Sequence, residues 1–297
     1  MRILVPILCL ALALGPLHPL QAQTDRRETL LRLLNQERDR AGAPPLRLSP
    51  EVGRVAQQRA EAISRQGSLQ YLTGRGEVME QLRRAGYQAQ EWAENRTSTT
   101  ADPATLIRRW KEKDPAAFRR LMDPAYRDLG IGLSSLGDSP LYVFLSAVPR
   151  SEVFARETAG LRDLARVRAG MLEQVNAVRR RAGLRTLGRD TVLDQAAQGH
   201  AADMLARSYF AHDSPSGTTV RERARAAGYN WGAIGENIAE GQLSLDEVME
   251  TWMNSPGHRK NILSSNFTEL GVGLVLGRND KTGEYRVIWV QNFGRPR

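Results

Sequence analysis

Residues 227–237 read Ala227-Gly228-Tyr229-Asn230-Trp231-Gly232-Ala233-Ile234-Gly235-Glu236-Asn237, and their outline has already occurred 142 residues earlier, as Ala85-Gly86-Tyr87 followed by Glu94-Asn95. Working outward, the correspondence persists. Trp110 falls on Trp252 at the same offset. Upstream, a one-residue gap makes the offset 141, which puts Asn35 on Asn176, Arg38 on Arg179 and Arg40-Ala41-Gly42 on Arg181-Ala182-Gly183. Leu46 then falls on Leu187, Ala56 on Ala197 and Ala60 on Ala201. Downstream, Leu129-Gly130 and Gly132-Leu133 again match Leu270-Gly271 and Gly273-Leu274 at 141. Order and spacing kept over most of two such stretches mean a duplicated domain.

The copies also agree in apolar pattern. Val52, Val55, Ala56, Ala60 and Ile63 in one, and Leu193, Ala196, Ala197, Ala201 and Met204 in the other, lie at helical spacing on one face. A later helix carries Leu106, Ile107 and Trp110, or Leu245, Val248, Met249 and Trp252. Asp102-Pro103 opens it in the first copy and Ser244-x-x-Glu247 in the second, while Thr219-x-x-Glu222 opens a short helix before Ala227. Strand-like runs close each copy: Leu129–Leu133 with Leu141–Val148, then Leu270–Leu276 and Tyr285–Phe293 about a turn at Asn279–Gly283. The expected class is α+β, two tandem domains with helices packed on a small antiparallel sheet.

The expected organisation is a signal peptide at 1–22, a first domain at 23–150, and a second at 170–297. Between them, 151–169 reads as a linker helix or as an extension of the next copy's first helix. Arg2, the apolar run Ile3–Leu14 and the Gly15-Pro16 break before Gln21-Ala22 form the signal, too short to span a bilayer. No later stretch is apolar enough for a transmembrane anchor, so a secreted or periplasmic location is expected. Cys9 is the only cysteine, which excludes disulfides and thiol chemistry from the mature chain. The net charge is +9, from 38 Arg and 4 Lys set against 33 acidic residues. These cations are scattered along helices, and the run Arg179-Arg180-Arg181 sits at a helix end where the dipole favours it, so no nucleic-acid partner is expected.

After the signal peptide, the histidines are His200, His212 and His258, all in the second copy. Arg59 stands opposite His200 and Ala117 opposite His258, although Glu94 still matches Glu236. His212, Glu236 and His258 fall at loops or element ends, where functional side chains concentrate. Two imidazoles and a carboxylate can hold Zn²⁺ with an open fourth position, act as acid and base, or hydrogen-bond a polar ligand. Their gaps of 24 and 22 residues match no compact metal signature. His200 lies on the apolar stripe of its helix and reads as a buried, hydrogen-bonded residue rather than a ligand. Because both copies keep Glu-Asn, that pair also reads as a device fixing a backbone. Ser255, three residues from His258 in one loop, makes no triad.

The ordered set His212-Asp213-Ser214-Pro215, Gly235-Glu236-Asn237, Trp252-x-x-Ser255-Pro256-Gly257-His258-Arg259, Gly271-Val272-Gly273 and Trp289-Val290-Gln291-Asn292-Phe293-Gly294 resembles the CAP superfamily, bacterial type. That superfamily comprises cysteine-rich secretory proteins, antigen 5 and plant pathogenesis-related proteins, also called SCP-like extracellular domains. The first copy resembles it more weakly, as a degenerate version without the histidines. The resemblance implies α-β-α sandwiches and a surface cleft lined by two His and two Glu, some members binding zinc. Carried over, His212, His258 and Glu236 match that set, and the second Glu falls at Ser255, a departure.

What the resemblance implies is an exported binding module, with His212, Glu236 and His258 lining a cleft for a small or lipid-like ligand and no catalytic residue assigned. Zinc is the one cofactor it suggests. The competing readings are a metal-dependent hydrolase and a cell-envelope scaffold whose tandem domains give avidity for a polymer.

Overall fold

The computed structural model describes residues 19–70 and 74–297. The expected signal peptide lies outside these residues except for its last four, whose backbone enters the first helix. The chain divides into two compact units between Arg150 and Ser151. In the first, α1 (Pro19–Arg40), β1 (Arg47–Leu48), α2 (Pro50–Gln66), α3 (Arg75–Arg84), β2 (Ala89–Ser98), α4 (Pro103–Lys113) and α5 (Pro115–Met122) precede the hairpin β3 (Asp128–Leu136) and β4 (Ser139–Pro149). After α6 (Arg150–Glu157) and a 3₁₀ turn (Ala159–Leu161), the second repeats the order. Its elements are α7 (Leu164–Arg181), β5 (Gly188–Arg189), α8 (Thr191–Arg207), α9 (Val220–Ala226), β6 (Trp231–Glu240), α10 (Leu245–Asn254), α11 (Pro256–Ile262), β7 (Glu269–Arg278) and β8 (Tyr285–Pro296).

Each unit holds a four-stranded sheet, ordered β1-β3-β4-β2 and β5-β7-β8-β6. Pairing is antiparallel except at the two-residue strands β1 and β5. Alternation along β8 sorts the core into layers. Ile288 and Val290 meet Ala197, Ala201 and Met204 of α8. On the other face, Val287, Trp289 and Phe293 join Met171 and Val175 of α7 and Val248, Met249 and Trp252 of α10. The result is the expected α-β-α sandwich, twice.

Two segments are built differently from the sequence reading. Glu236-Asn237 lies inside strand β6, not in a loop; its segment has glycines at 232 and 235 and no period-2 alternation to mark it. The segment 151–169 is not one helix: it comprises most of α6, the 3₁₀ turn and the start of α7, and Phe154 and Leu161 are buried in the second unit's core.

Helix and sheet meet at van der Waals limits in both units. A Cβ built on Gly271 would stand 2.2 Å from the Leu193 carbonyl carbon, and one on Gly273 2.3 Å from that of Ala197. Gly130 and Gly132 meet Val52 and Ala56 in the same way, at 2.3 and 2.1 Å from their carbonyl oxygens. The side-chain amide of Gln198 then takes the place of a further strand, donating to the Leu274 carbonyl (2.9 Å) and accepting its N–H (3.1 Å). Gln57 does the same for Leu133.

Arg38 and Arg179 are fully buried, Arg179 in the last turn of α7 as the sequence placed it but with more than the helix dipole to hold it. Arg179 donates to the carbonyls of Arg185 (2.8 Å), Ile262 (2.8 Å) and Ser264 (2.8 Å), so its guanidinium pins the end of α11 to α7. Arg38 bonds Pro44, Leu121 and Asp123 in the corresponding places. With Phe267 and Tyr126 as the fourth acceptors, four carbonyl dipoles compensate each charge without a carboxylate, since hydrogen bonds to charged groups are the strong ones.

The close contact predicts a sharp asymmetry between glycines. Gly273→Ala should destabilise the second unit by about 2–3 kcal/mol, because backbone must move to admit one methyl group. Gly199→Ala, in α8 with nothing within 4 Å of the new Cβ, should be neutral or gain up to about 1 kcal/mol from helix propensity. Thermal unfolding of both variants checks this; equal melting temperatures would refute the account of the contact.

Candidate functional site

Glu236 occupies the middle of β6, paired in register with Asn292 of β8, and its side chain is 2% exposed. A carboxylate so buried must be compensated. Three elements supply the compensation. Oε1 accepts from His212 Nδ1 at 2.9 Å, on the loop after α8. Oε2 accepts from Arg223 Nη2 at 2.8 Å, on α9. Asn292, with its amide nitrogen turned to the carboxylate, donates to Oε2 at 3.2 Å. Arg223 is held in turn by the carbonyls of Thr218 (2.7 Å) and His212 (2.9 Å). The expected Thr219–Glu222 capping box starts the helix that carries it.

His200, read from sequence as a structural residue, belongs to the same cluster. Its Nε2 donates to the Ala211 carbonyl at 3.0 Å and lies 3.8 Å from Glu236 Oε1. A carbonyl can only accept, so the proton sits on Nε2. Burial pushes this imidazole below the ordinary histidine range, with Glu236 opposing. His212 goes the other way: its bond to Glu236 raises it above that range. Its side chain remains 55% exposed, so one imidazole edge is fixed on the carboxylate and the other faces out.

His258 comes near this pair without bonding it. Burial lowers its basicity, and the neighbouring His212 lowers it further. It occupies the third position of α11 rather than a loop. The buried Nδ1 has no hydrogen-bond partner among the described residues. Its backbone is held by Asn237, which is fully buried. Asn237 Nδ2 donates to the His258 carbonyl (3.2 Å) and to Gln291 Oε1 (3.1 Å), and its Oδ1 accepts from Asn261 (2.8 Å). In the first unit Asn95 donates to the Ala117 carbonyl (2.9 Å) and accepts from Arg120 (2.8 Å). The asparagine of each Glu-Asn pair therefore anchors the helix that follows.

The carboxylate of the pair is used differently in each copy. Glu94 is bonded by the buried Arg59, which stands where the second unit has His200, and Arg96 lies 3.5 Å away. Gln81 occupies the position of Arg223. Both units thus balance a buried carboxylate with a guanidinium, from α2 in one and α9 in the other. Where Gln291 and Asn292 line β8, the first unit has Phe144 and Leu145 at the same register. Phe144 packs edge-on against Trp110 at 4.8 Å. The first site is closed by apolar packing.

The zinc suggested by the resemblance does not fit these residues. Among the described residues, no three His, Cys, Asp or Glu side chains form a metal-binding group. Glu236 Oε1 is taken by His212, and the Arg223 cation on Oε2 repels a dication where a ligand oxygen would be needed. Glu236, His212, His200 and Arg223 therefore form a polar cluster beside His258 and not a metal centre. Sequence reasoning missed Arg223 and set His200 aside. The signal available for Arg223 was the capping box that fixes its helix, but nothing local placed that helix beside Glu236.

The model of the cysteine-rich secretory protein family, CAP, matches residues 31–146 and 172–293. The uncharacterized protein YkwD of Bacillus subtilis is 41% identical over 123 residues, 41% of this chain and 45% of that protein. The uncharacterized membrane protein YlbC of the same organism is 36% identical over 104 residues, 35% of this chain and 30% of that protein. The chain thus spans less than half the length of these curated relatives. Among solved structures, an extracellular protein with an SCP domain from Bacillus anthracis is 26% identical with a TM-score of 0.41, over 56% of this chain and 59% of that one. Na-ASP-1 is 13% identical with a TM-score of 0.32, over 91% and 89%. With two matched segments that together cover most of its length, each coinciding with one folded unit, the chain belongs to the CAP, or cysteine-rich secretory protein, family.

Proposed function

We propose that this chain is an exported binding module whose second unit receives the polar head of a small or lipid-like ligand at His212 and His258, the first unit serving as a structural half. One observation carries the reading. Glu236 spends both oxygens inside the protein, so it orients His212 rather than reacting, and leaves the outer imidazole edge free. His258 feels the charge of His212, and its buried Nδ1 has no partner among the described residues. An imidazole oriented by a buried carboxylate, with a second imidazole on an anchored helix, suits hydrogen bonding to a ligand head. A carboxylate already bonded to a guanidinium is a poor general base, which weighs against a hydrolase. Among the described residues, no helix is long and apolar enough to cross a membrane, which is compatible with export.

The His212–Glu236 pair sets a pH signature. Protonated His212 is stabilised in the fold, so its contribution is present below the ordinary histidine value of about 6.5 and is lost as pH rises through the raised one. Buried His200 contributes in the opposite sense: its share is present above about 6.5 and lost as pH falls through its lowered value. Imidazole NMR titration should place the two on opposite sides of 6.5. Glu236→Gln should bring His212 down towards the ordinary value. An unmoved His212 would contradict the pairing.

For the binding reading, His212→Ala and His258→Ala should each weaken retention of co-purifying ligand by tenfold or more, with unchanged circular dichroism. Extraction and mass spectrometry of wild type and variants measure it. Equal retention of an identified ligand by the double variant would remove the reading. Turnover of a peptide or ester abolished by a chelator would replace it with the hydrolase.

A further inference from the structure

The duplication supplies a template for what a cavity in the first unit should hold. In the second unit, Asp194 sits in the first turn of α8 and is 2% exposed. Its Oδ1 accepts the Val272 N–H at 2.7 Å, and its Oδ2 accepts from Arg189 Nε at 2.7 Å. Arg168 Nε lies 3.6 Å from Oδ1 and donates to the Val272 carbonyl at 2.9 Å. That carboxylate closes the exposed edge of β7 next to the start of the helix.

The first unit keeps the frame and lacks the carboxylate. Arg27, the counterpart of Arg168, donates Nε to the Ile131 carbonyl at 2.9 Å, as Arg168 does to Val272. Position 53, the counterpart of Asp194, is glycine, and a Cβ built there would meet nothing within 4 Å. The space opens into a cavity of about 520 Å³ whose lining includes Arg27, Gly53, Arg54, Leu48 and Ile131. Along a strand the N–H and carbonyl of one residue face the same side. The Ile131 N–H therefore points to the edge where Arg27 takes its carbonyl, and no side chain among the described residues accepts it. No acidic side chain among those residues pairs with Arg27. Leu48 replaces Arg189, making that wall apolar, while Arg54 adds a second guanidinium, tethered to the Ala85 carbonyl at 2.8 Å. Glu51, the nearest acid on α2, is turned to Ser49 (2.9 Å) and lies 3.9 Å from Arg54.

We infer that this cavity binds a ligand with a terminal carboxylate on a short apolar body, the carboxylate standing where Asp194 stands in the second unit. The Ile131 amide and the Arg27 guanidinium supply charge-assisted donors, and the first turn of α2 favours an anion. Leu48 and Pro50, both exposed, offer a wall to the apolar body. The first unit is then a second binding site rather than only a structural half.

Two sources share this chemistry, a free short-chain acid and the C-terminus of a peptide. Calorimetric titration of the full chain with hexanoate and with N-acetylalanylalanine separates them, and hexanamide serves as the neutral control. At least one carboxylate should bind tenfold or more tightly than hexanamide, the tighter one naming the source. Gly53→Asp and Arg27→Gln should each weaken that binding at least tenfold. Gly53→Asp should also hold or raise the melting temperature, because its carboxylate can meet the Ile131 N–H and Arg27 as Asp194 meets Val272 and Arg168. The His212→Ala/His258→Ala variant should bind as wild type, which keeps this site distinct from the second unit's. No preference for carboxylate over amide, unchanged affinity in Gly53→Asp, or a lowered melting temperature in that variant would overturn the inference.

Discussion

Where helix α8 crosses strand β7, nothing larger than a hydrogen atom fits between the backbones. Gly271 and Gly273 lie against Leu193 and Ala197, and Gly130 and Gly132 against Val52 and Ala56. Everything else in each unit is measured from that contact. It brings the helix close enough for Gln198 to cap the edge of β7. It also sets His200, one turn beyond Ala197, over the carboxylate of Glu236 two strands away. A helix held further out would leave that carboxylate without its neighbouring imidazole and open the buried layer to water.

The two units answer one electrostatic problem in two ways. A buried carboxylate on the outer strand costs free energy unless a cation meets it, and a half-compensated pair is worse than an apolar replacement. The first unit meets Glu94 from α2 with Arg59 and pairs it across the sheet with Leu145. The second meets Glu236 from α9 with Arg223, leaving room on α8 for His200 and on the loop for His212. Moving the guanidinium from one helix to another is what makes space for imidazoles. At the other edge of the sheet the copies diverge as well, where Asp194 seals the second unit and Gly53 leaves the first one open.

The duplication, the α+β class and the glycine pairs were legible because they are statements about order and period within one copy. Asn95 and Asn237 were legible as backbone anchors because both copies keep them. Strand β6 was not, since Trp231–Glu240 has no alternation and packs on both faces only after β8 is in place. Arg179 was legible as a helix-end cation but not as a buried one, because its carbonyl partners lie up to 88 residues away. His200 and Arg223 were missed as members of the cluster for the same reason: 36 and 13 residues separate them from Glu236, and only the folded sheet joins them.

At the centre of the account stands a buried carboxylate neutralised from within, by Arg223 and His212, and so unavailable to a metal. Elemental analysis of the purified chain beside its His212→Ala/His258→Ala variant tests this directly. The account predicts less than a tenth of an equivalent of zinc or any other transition metal in both. One equivalent in the wild type that disappears in the variant would contradict it.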